Sequence, residues 1–311
     1  MDGIINVYKE AGFTSHDVVA KLRGILKQKK IGHTGTLDPA AIGVLPVCVG
    51  KATKVCELLT EKDKTYQAVC RLGMVTDTQD ATGKVLEEHS IAGITEQKLR
   101  ETVASFQGEI EQIPPMYSAI KVDGKKLYEL AREGKTIERK PRKVNIMKIH
   151  IVQIDLEEQT FVMEITCSKG TYIRTLCHDI GQKLGVGAIM QSLVRTRVAG
   201  FHIKDALTLA QIEDLVQENK LQEKMYAIEA IFSDYPKRKV LKEYSKNLAN
   251  GNILKQDQLE DLPISLLAEM WINQSEWSVA HKDEYLIYDE EGNFKAIYRK
   301  RGDTFSVVKM F

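Results

Sequence analysis

Gly3 to Lys9 alternates weakly between apolar and polar side chains and predicts a short strand. A helix is expected next, because Val18, Val19, Leu22, Ile25 and Leu26 share one face, with Thr14 or Ser15 as its cap and Asp17 in its first turn. After a glycine-rich run, Lys51 to Thr60 reads as helical and Thr65 to Leu72 as a strand with Tyr66, Ala68, Cys70 and Leu72 on one side. Thr95 to Phe106 predicts a helix capped by Thr95 and packed through Leu99, Val103 and Phe106. Pro114 and Pro115 end regular structure and suit an exposed strand over Gln112 to Ala119. Val144 to Leu156 and Gln159 to Cys167 are expected to pair as strands, the first with a bulge near Met147, where its apolar register shifts.

From Thr171 to Leu184 a helical stripe runs through Ile173, Leu176, Cys177, Ile180 and Leu184. A strand-like stretch carrying Leu193, Arg195 and Arg197 follows, then a capped helix over Thr208 to Asn219. Tyr235-Pro236 lies in a linker, beyond which about 75 residues carry short strands, glycine turns and the two tryptophans, Trp271 and Trp277. With 311 residues, 43% of them hydrophobic and 28% charged, the chain can build one large core and a small second domain. No run is long enough to span a bilayer and the start lacks a signal peptide's pattern, so a cytoplasmic protein is expected. Cys48, Cys56, Cys70, Cys167 and Cys177 form no C-x-x-C pair and read as buried free thiols, neither disulfides nor zinc ligands.

Candidate chemistry gathers in Lys29 to Lys51, where four glycines and two prolines surround the single carboxylate of Asp38, just after His33, Thr34 and Thr36. Such a loop has a defined shape, and Asp38-Pro39 holds the acid in extended or turn geometry. A phosphate-binding P-loop is excluded, because six residues separate Gly43 from Gly50-Lys51 and Ala52 follows where a hydroxyl residue is required. Ser15-His16-Asp17 reads as a cap rather than a triad, since consecutive helical residues diverge. Asp77 and Asp80 read as a solvated loop, no third metal ligand of fixed spacing accompanying them. His178-Asp179 reads as a helix-surface pair. Arg174 opposes the helix dipole in the first turn of its helix and is expected to answer to an anion elsewhere.

The net charge of +1 gives no global sign of a nucleic-acid partner. Locally, Lys121, Lys125, Lys126, Arg132, Lys135, Arg139, Lys140, Arg142, Lys143 and Lys148 stand against Asp123, Glu129, Glu133 and Glu138. That excess fits either a solvated surface or a contact for phosphates.

Five blocks, GHTGTLDP around Asp38, DKTYQA around Tyr66, RLGMVTDTQDATG, QIPPMYSAIKVDGKKLYELAREG and CSKGTYIRTLCHDIG, resemble in order and register the TruB family of tRNA pseudouridine synthases. The resemblance covers most of residues 1 to 205 and implies an α+β fold, a mixed, mainly antiparallel sheet flanked by helices. It implies a catalytic domain over 1–235 with a basic thumb-like insertion at about 117–145, and a β-rich PUA-like RNA-binding domain over 236–311. The implied activity converts the T-loop uridine at tRNA position 55 to pseudouridine, without cofactor or metal, without an obligatory protein partner or guide RNA, and away from membranes. Asp38 matches the catalytic aspartate, acting beside Tyr66 and Arg174; a free aspartate titrates near ~3.9 and attacks as a carboxylate, on the base or on the sugar. His33, Tyr172, Lys169 and Leu193 match substrate-contacting positions. Lys121, Lys125, Lys126, Arg132, Arg139, Lys140, Arg142 and Lys143 become candidates for the RNA backbone. The alternative is a tRNA-folding helper that no longer turns over. The family's usual Lys-Pro is Lys9-Glu10 here, Ala40-Ala41-Ile42 replaces a common leucine and small hydroxyl residue, and Val194 stands where arginine is frequent.

Overall fold

The computed structural model describes residues 1–122, 124–232, 234–262 and 283–311; Asp123, Trp271 and Trp277 lie outside the described residues. The chain begins with β1 (Gly3–Lys9), α1 (Ser15–Leu26), β2 (Ile31–His33), β3 (Ile42–Val49), α2 (Cys56–Thr60) and β4 (Lys64–Leu72). The hairpin β5 (Met74–Thr76) and β6 (Val85–Glu88) leads to α3 (Glu96–Ala104) and β7 (Gly108–Gln112). A second hairpin, β8 (Lys121–Val122) and β9 (Lys125–Lys126), precedes α4 (Leu127–Arg132), β10 (Arg142–Asp155) and β11 (Thr160–Cys167). Then come α5 (Ile173–Leu184), β12 (Ala188–Val198), β13 (Phe201–His202), α6 (Leu209–Gln217) and α7 (Leu221–Lys224).

One sheet runs in the order β1-β3-β12-β4-β11-β10-β7, with β13 beside β12 and β2 beside β3. Only β12 and β3 are parallel neighbours in it, so the sheet is mixed and mainly antiparallel. The alternation in β4 and β11 places Ala68, Cys70, Leu72, Phe161, Met163 and Ile165 in one core with Leu99 of α3 and Leu176 and Ile180 of α5. A separate core joins Ile5, Val7, Leu45 and Val47 of β1 and β3 to Val18 and Leu22 of α1 and Ile212 of α6.

The local signals hold where they are strongest. Thr14 and Asp17 form a reciprocal capping box on α1, Thr95 caps α3, and Thr208 and Gln211 form a box on α6. The register of β10 on β11 slips between Ile146 and Lys148, leaving the expected bulge at Met147. Lys51 to Thr60 is not one helix: a 3-10 turn over Gly50–Val55 comes first, its Thr53 hydroxyl donating back to the Gly50 carbonyl at 2.8 Å. Residues 113–119 form no strand. Two of them are prolines, and Met116, Tyr117 and Ser118 bond elsewhere: Ser118 N to Met116 O, Tyr128 N to Ser118 O, and Tyr117 O to an arginine.

The C-terminal part is β-rich. It comprises β14 (Lys237–Val240), α8 (Ser245–Ala249), β15 (Leu254–Lys255), β16 (Leu259–Asp261), β17 (Glu284–Tyr288), β18 (Phe294–Arg301) and β19 (Thr304–Met310). Their sheet order is β15-β19-β18-β17-β14-β16. Leu286, Tyr288 and Ile297 of this sheet share one apolar cluster with Phe201, Ile231, Phe232 and Tyr235, so the two parts are packed together. Cys48, Cys70, Cys167 and Cys177 are buried free thiols, and Cys56 is half-buried.

Candidate active site

The loop from β2 to β3 is tied down along its length. Thr34 donates from its backbone and its hydroxyl to Pro46 O, at 3.1 and 3.2 Å. Leu37 N donates to the buried Ser15 hydroxyl at 3.0 Å, and Gly12 N to Pro39 O at 3.0 Å. Lys9, fully buried, donates from Nζ to the carbonyls of Glu10, Pro39 and Ala41 at 3.2, 3.1 and 2.5 Å. Burial lowers its pKa from 10.5 to about 8, although the charges of Asp38 and Asp17 pull the other way. Thus the lysine of Lys9-Glu10 braces the loop that carries Asp38, and the missing proline costs none of these bonds.

Asp38 meets Arg174 in a fork, Nε to Oδ2 at 3.0 Å and Nη2 to Oδ1 at 3.4 Å. The arginine side chain is 6% exposed and the aspartate 42%, so the carboxylate is gripped from below and open above. Arg174 also donates to Thr78 O at 3.1 Å and Tyr117 O at 2.8 Å, and lies 3.7 Å from Asp80 Oδ2. The anion expected for Arg174 is therefore Asp38, with Asp80 behind it.

That arrangement corrects the expectation of a solvated loop at Asp80, whereas Asp77 is exposed as expected. Asp80 is only 14% exposed, and its Oδ1 accepts from the Thr78 hydroxyl, Thr82 N and the Thr82 hydroxyl at 2.7, 3.0 and 2.6 Å. Gln79 O accepts from Met190 N, and Ala81 N donates to Met190 O, which pins the loop to β12. Asp77 accepts from Lys84 N at 2.8 Å. Among the described residues no three His, Cys, Asp or Glu side chains gather as a metal site. His178 and Asp179 are both half-buried and make no bond to one another, so they are not a surface pair either.

Tyr66 on β4 stands opposite Arg195 of β12 and Ile165 of β11. Burial raises the pKa of its hydroxyl, and the charge of Arg195 opposes that rise. Arg195 is 1% exposed and donates from Nε to Val44 O at 2.7 Å, and from Nη1 and Nη2 toward Thr36 O and Gly35 O at 3.4 and 3.5 Å. Gly43 makes this crossing possible: its φ is +106°, and a Cβ there would lie 2.3 Å from Arg195 O. Leu193, two residues before Arg195, is buried in the same core that Tyr66 packs against.

Tyr172 sits at the N-cap of α5, and the buried Gln112 holds its backbone on both sides. Tyr172 N donates to Gln112 Oε1 at 3.0 Å, and Gln112 Nε2 to Tyr172 O at 3.2 Å. This clamp starts the helix at Ile173 rather than Thr171. Burial raises the Tyr172 hydroxyl pKa. His33 is half-buried, accepts from Gly35 N at its Nδ1 (3.3 Å) and meets His16 edge to face at 5.1 Å. Burial lowers its pKa, so the ring is neutral and carries its proton on Nε2.

Asp38, Arg174 and Asp80 are thus brought together, as are Tyr66, Arg195 and the loop of Asp38, whereas Lys169 pairs with Glu61 at the surface. In the basic segment Lys125 and Lys135 pair with Glu133, and Lys143 pairs with Glu109. Arg139 donates to Pro114 O, while Lys126 and Arg132 lie over the Tyr128 ring. Lys121, Lys140 and Arg142 are exposed and form no ion pair among the described residues. Sequence reasoning missed Lys9, Asp80, Gln112 and Arg195 as parts of the site. Only Arg195 carried a local signal, since it shares the inward face of its strand with Leu193.

Residues 23–173 match the family model for the N-terminal domain of TruB family pseudouridylate synthases, and residues 174–240 match that for the tRNA pseudouridylate synthase B C-terminal domain. A Lachnoclostridium phytofermentans protein named tRNA pseudouridine synthase B is 51% identical over 319 residues, covering 100% of both chains. Proteins of the same name are 41% identical in Clostridium tetani, over 100% of this chain and 99% of that one, and 47% identical in Staphylococcus aureus, over 84% and 87%. Among solved structures, a chain of a Cbf5-Nop10-Gar1 complex superposes with a TM-score of 0.70 at 27% identity, over 99% of this chain and 84% of that one. A chain of an H/ACA RNP bound to a substrate RNA containing 2'-deoxyuridine gives 0.69 at 25%, with the same coverage. The chain belongs to the TruB family of pseudouridylate synthases.

Proposed function

We propose that this protein isomerises the uridine at position 55 in the T loop of tRNA to pseudouridine, with Asp38 as the nucleophile. The observation that carries the reading is the Asp38 carboxylate, gripped by Arg174 from the protein side and open on the other. Relatives named tRNA pseudouridine synthase B support tRNA as the substrate. In the reaction the bond from C1′ to N1 breaks, the uracil turns, and C1′ bonds to C5; C5 gives up a proton and N1 takes one. A carboxylate attacks without a separate base, and the Arg174 fork holds that of Asp38 in place and aimed.

A base inside a folded loop must be flipped out before it is reached. Tyr66 supplies a ring for it to stack on, Tyr172 and Leu193 line the pocket, and the neutral His33 offers an Nε2–H donor to the RNA. Residues 117–145 act as a thumb whose exposed cations, Lys121, Lys140 and Arg142 among them, meet phosphates. Tyr117 O bonds Arg174, so the base of that thumb is joined to the nucleophile's partner. Lys169 contributes from the rim once RNA competes with Glu61. The division into a catalytic domain over 1–235 and a PUA-like RNA-binding domain over 236–311 belongs to the same proposal, as do a cytoplasmic setting and action on bare RNA without a guide.

The test is tritium release from C5-labelled uridine in a T-arm stem-loop by the purified chain. Release is expected for the native protein and absent for Asp38→Asn, which should still bind the RNA. Undiminished release by Asp38→Asn overturns the nucleophile assignment, and binding without release by the native protein overturns the activity.

A further inference from the structure

Ser15, His16 and Asp17 follow one another at the start of α1, and each side chain has a different partner. The Asp17 carboxylate accepts from Thr14 N and the Thr14 hydroxyl at 2.8 and 2.7 Å, and Asp17 N donates back to that hydroxyl at 3.1 Å. This box fixes where the helix begins, and with it the directions of the two residues inside. Neighbours in a helix point roughly 100° apart, so Ser15 and His16 reach two separate points of the same loop. Ser15, fully buried, accepts from Leu37 N at 3.0 Å, one residue before Asp38. On the other side Asp38 O accepts from Ala41 N at 3.1 Å, so the backbone of Asp38 is pinned before and after. His16, exposed, meets the half-buried His33 ring at 5.1 Å with the two planes 80° apart. Helix α1 is itself fixed, its Val18 and Leu22 packed with Leu45 and Val47 of β3.

We propose that the first turn of α1 is the mount that sets the spacing between Asp38 and His33: Ser15 positions the nucleophile through Leu37 N, and His16 positions the ring that His33 offers to RNA. The inference rests on the isomerisation proposed above. Both are positioning residues, each acting through a residue of the loop. Their tasks separate. Arg174 grips the Asp38 carboxylate and leaves its backbone to the loop, so the direction of attack depends on where Leu37 and Asp38 lie. His33 takes no part in the bond changes, so the placing of its ring governs RNA affinity. Burial lowers the pKa of His33, and the charged groups facing it, His16 from α1 and Arg195 from β12, push the same way.

The test uses the full chain and a T-arm stem-loop labelled with tritium at C5 of the target uridine. Ser15→Ala should slow single-turnover release ~10- to 100-fold, as for a nucleophile displaced by up to ~1 Å, with the Kd for RNA within about twofold of native. His16→Ala should do the reverse, weakening RNA binding ~3- to 10-fold, the worth of an edge-to-face pair, with the rate at saturating RNA within about twofold. In a His33→Ala background His16→Ala should cost no further affinity; an equal loss there shows a direct RNA contact and overturns the positioning role. His16→Phe keeps a ring edge and should recover the native Kd, and a phenylalanine no better than alanine overturns the ring contact. In ¹H–¹³C NMR of the imidazoles, His33, assigned by its loss in His33→Ala, should titrate at higher pH in His16→Ala; an unmoved titration likewise overturns the contact. Ser15→Ala at the native rate, or losing rate and affinity alike, overturns the mount for Asp38. If Ser15→Ala does not fold, Ser15→Cys, close in size but a weak acceptor, carries the measurement. A native protein that releases no tritium refutes the isomerisation, while the Kd values and the His33 titration still read the mount.

Discussion

Lys9→Met asks whether the loop that carries Asp38 is braced from beneath. The fully buried ammonium donates to Glu10, Pro39 and Ala41 carbonyls. Its pKa falls from 10.5 to about 8, which at ~1.4 kcal/mol per unit means that the fold disfavours the charge by about 3 kcal/mol. The bonds thus recover most, but not all, of the lost hydration. Methionine removes that cost and leaves the Glu10 and Ala41 carbonyls without this donor, at ~1–3 kcal/mol each, while Pro39 O keeps its bond from Gly12 N. These changes oppose one another, so unfolding free energy in urea should change by less than about 3 kcal/mol. Activity has no such cancellation: a loop displaced by ~1 Å should slow tritium release ~100-fold, with RNA binding retained.

The same group sets a pH dependence in the native protein. Folded Lys9 loses its proton near pH 8, whereas the unfolded chain keeps it to about 10.5. Between those values the unfolded state binds more protons, so this group's contribution to stability rises with pH. Activity should fall over the same window, because a neutral amine has two N–H groups for three carbonyls. Opposite trends in melting and turnover are the signature. A methionine variant within threefold of the native rate at neutral pH would falsify the bracing role.

Arg174→Lys keeps a charge but loses the fork to Asp38 and the bonds to Thr78 and Tyr117; tritium release should fall ~100-fold or more, and a change under fivefold would show that charge alone suffices. Gln112→Leu strips both bonds from the Tyr172 backbone, and urea unfolding should show a loss of ~1–3 kcal/mol with a roughly tenfold slower reaction; unchanged stability would mean that water replaces the amide. Gly43→Ala places a Cβ 2.3 Å from Arg195 O at a φ of +106°, so melting should reveal a loss of about 2 kcal/mol or more, and a native melting temperature would contradict the close approach.

Helices α1, α3 and α6 are legible in the sequence because their caps lie three residues from the groups they serve. The strand pair β10 and β11, with its bulge, is legible because a register shift leaves a mark in the alternation itself. Arg174 was legible in kind, since an arginine at the start of α5 opposes the helix dipole, but its partners lie 136 and 94 residues away and carry no local mark. Asp80 looked solvated for the same reason. Gln112 precedes two prolines and reads as the edge of a loop, although its amide closes a pair of bonds across 60 residues. Residues 113–119 departed from the expected strand because their carbonyls serve α4 and Arg174 instead of a neighbouring strand. What the sequence withheld is tertiary polar pairing, which has no period.

The apolar cluster beneath the C-terminal sheet has a mechanical meaning. Leu286, Tyr288 and Ile297 are interlocked with Ile231, Phe232 and Tyr235, and Phe311 closes over them. Each such side chain returned to water costs ~1.5–3 kcal/mol, so a swivel that opened this contact would be opposed by many times the thermal energy. The span from Asp38 to the outer strands of that sheet is accordingly set before any RNA arrives. An RNA that touches both ends meets a caliper with one setting, and one whose shape does not match that gap must give up a contact at one jaw.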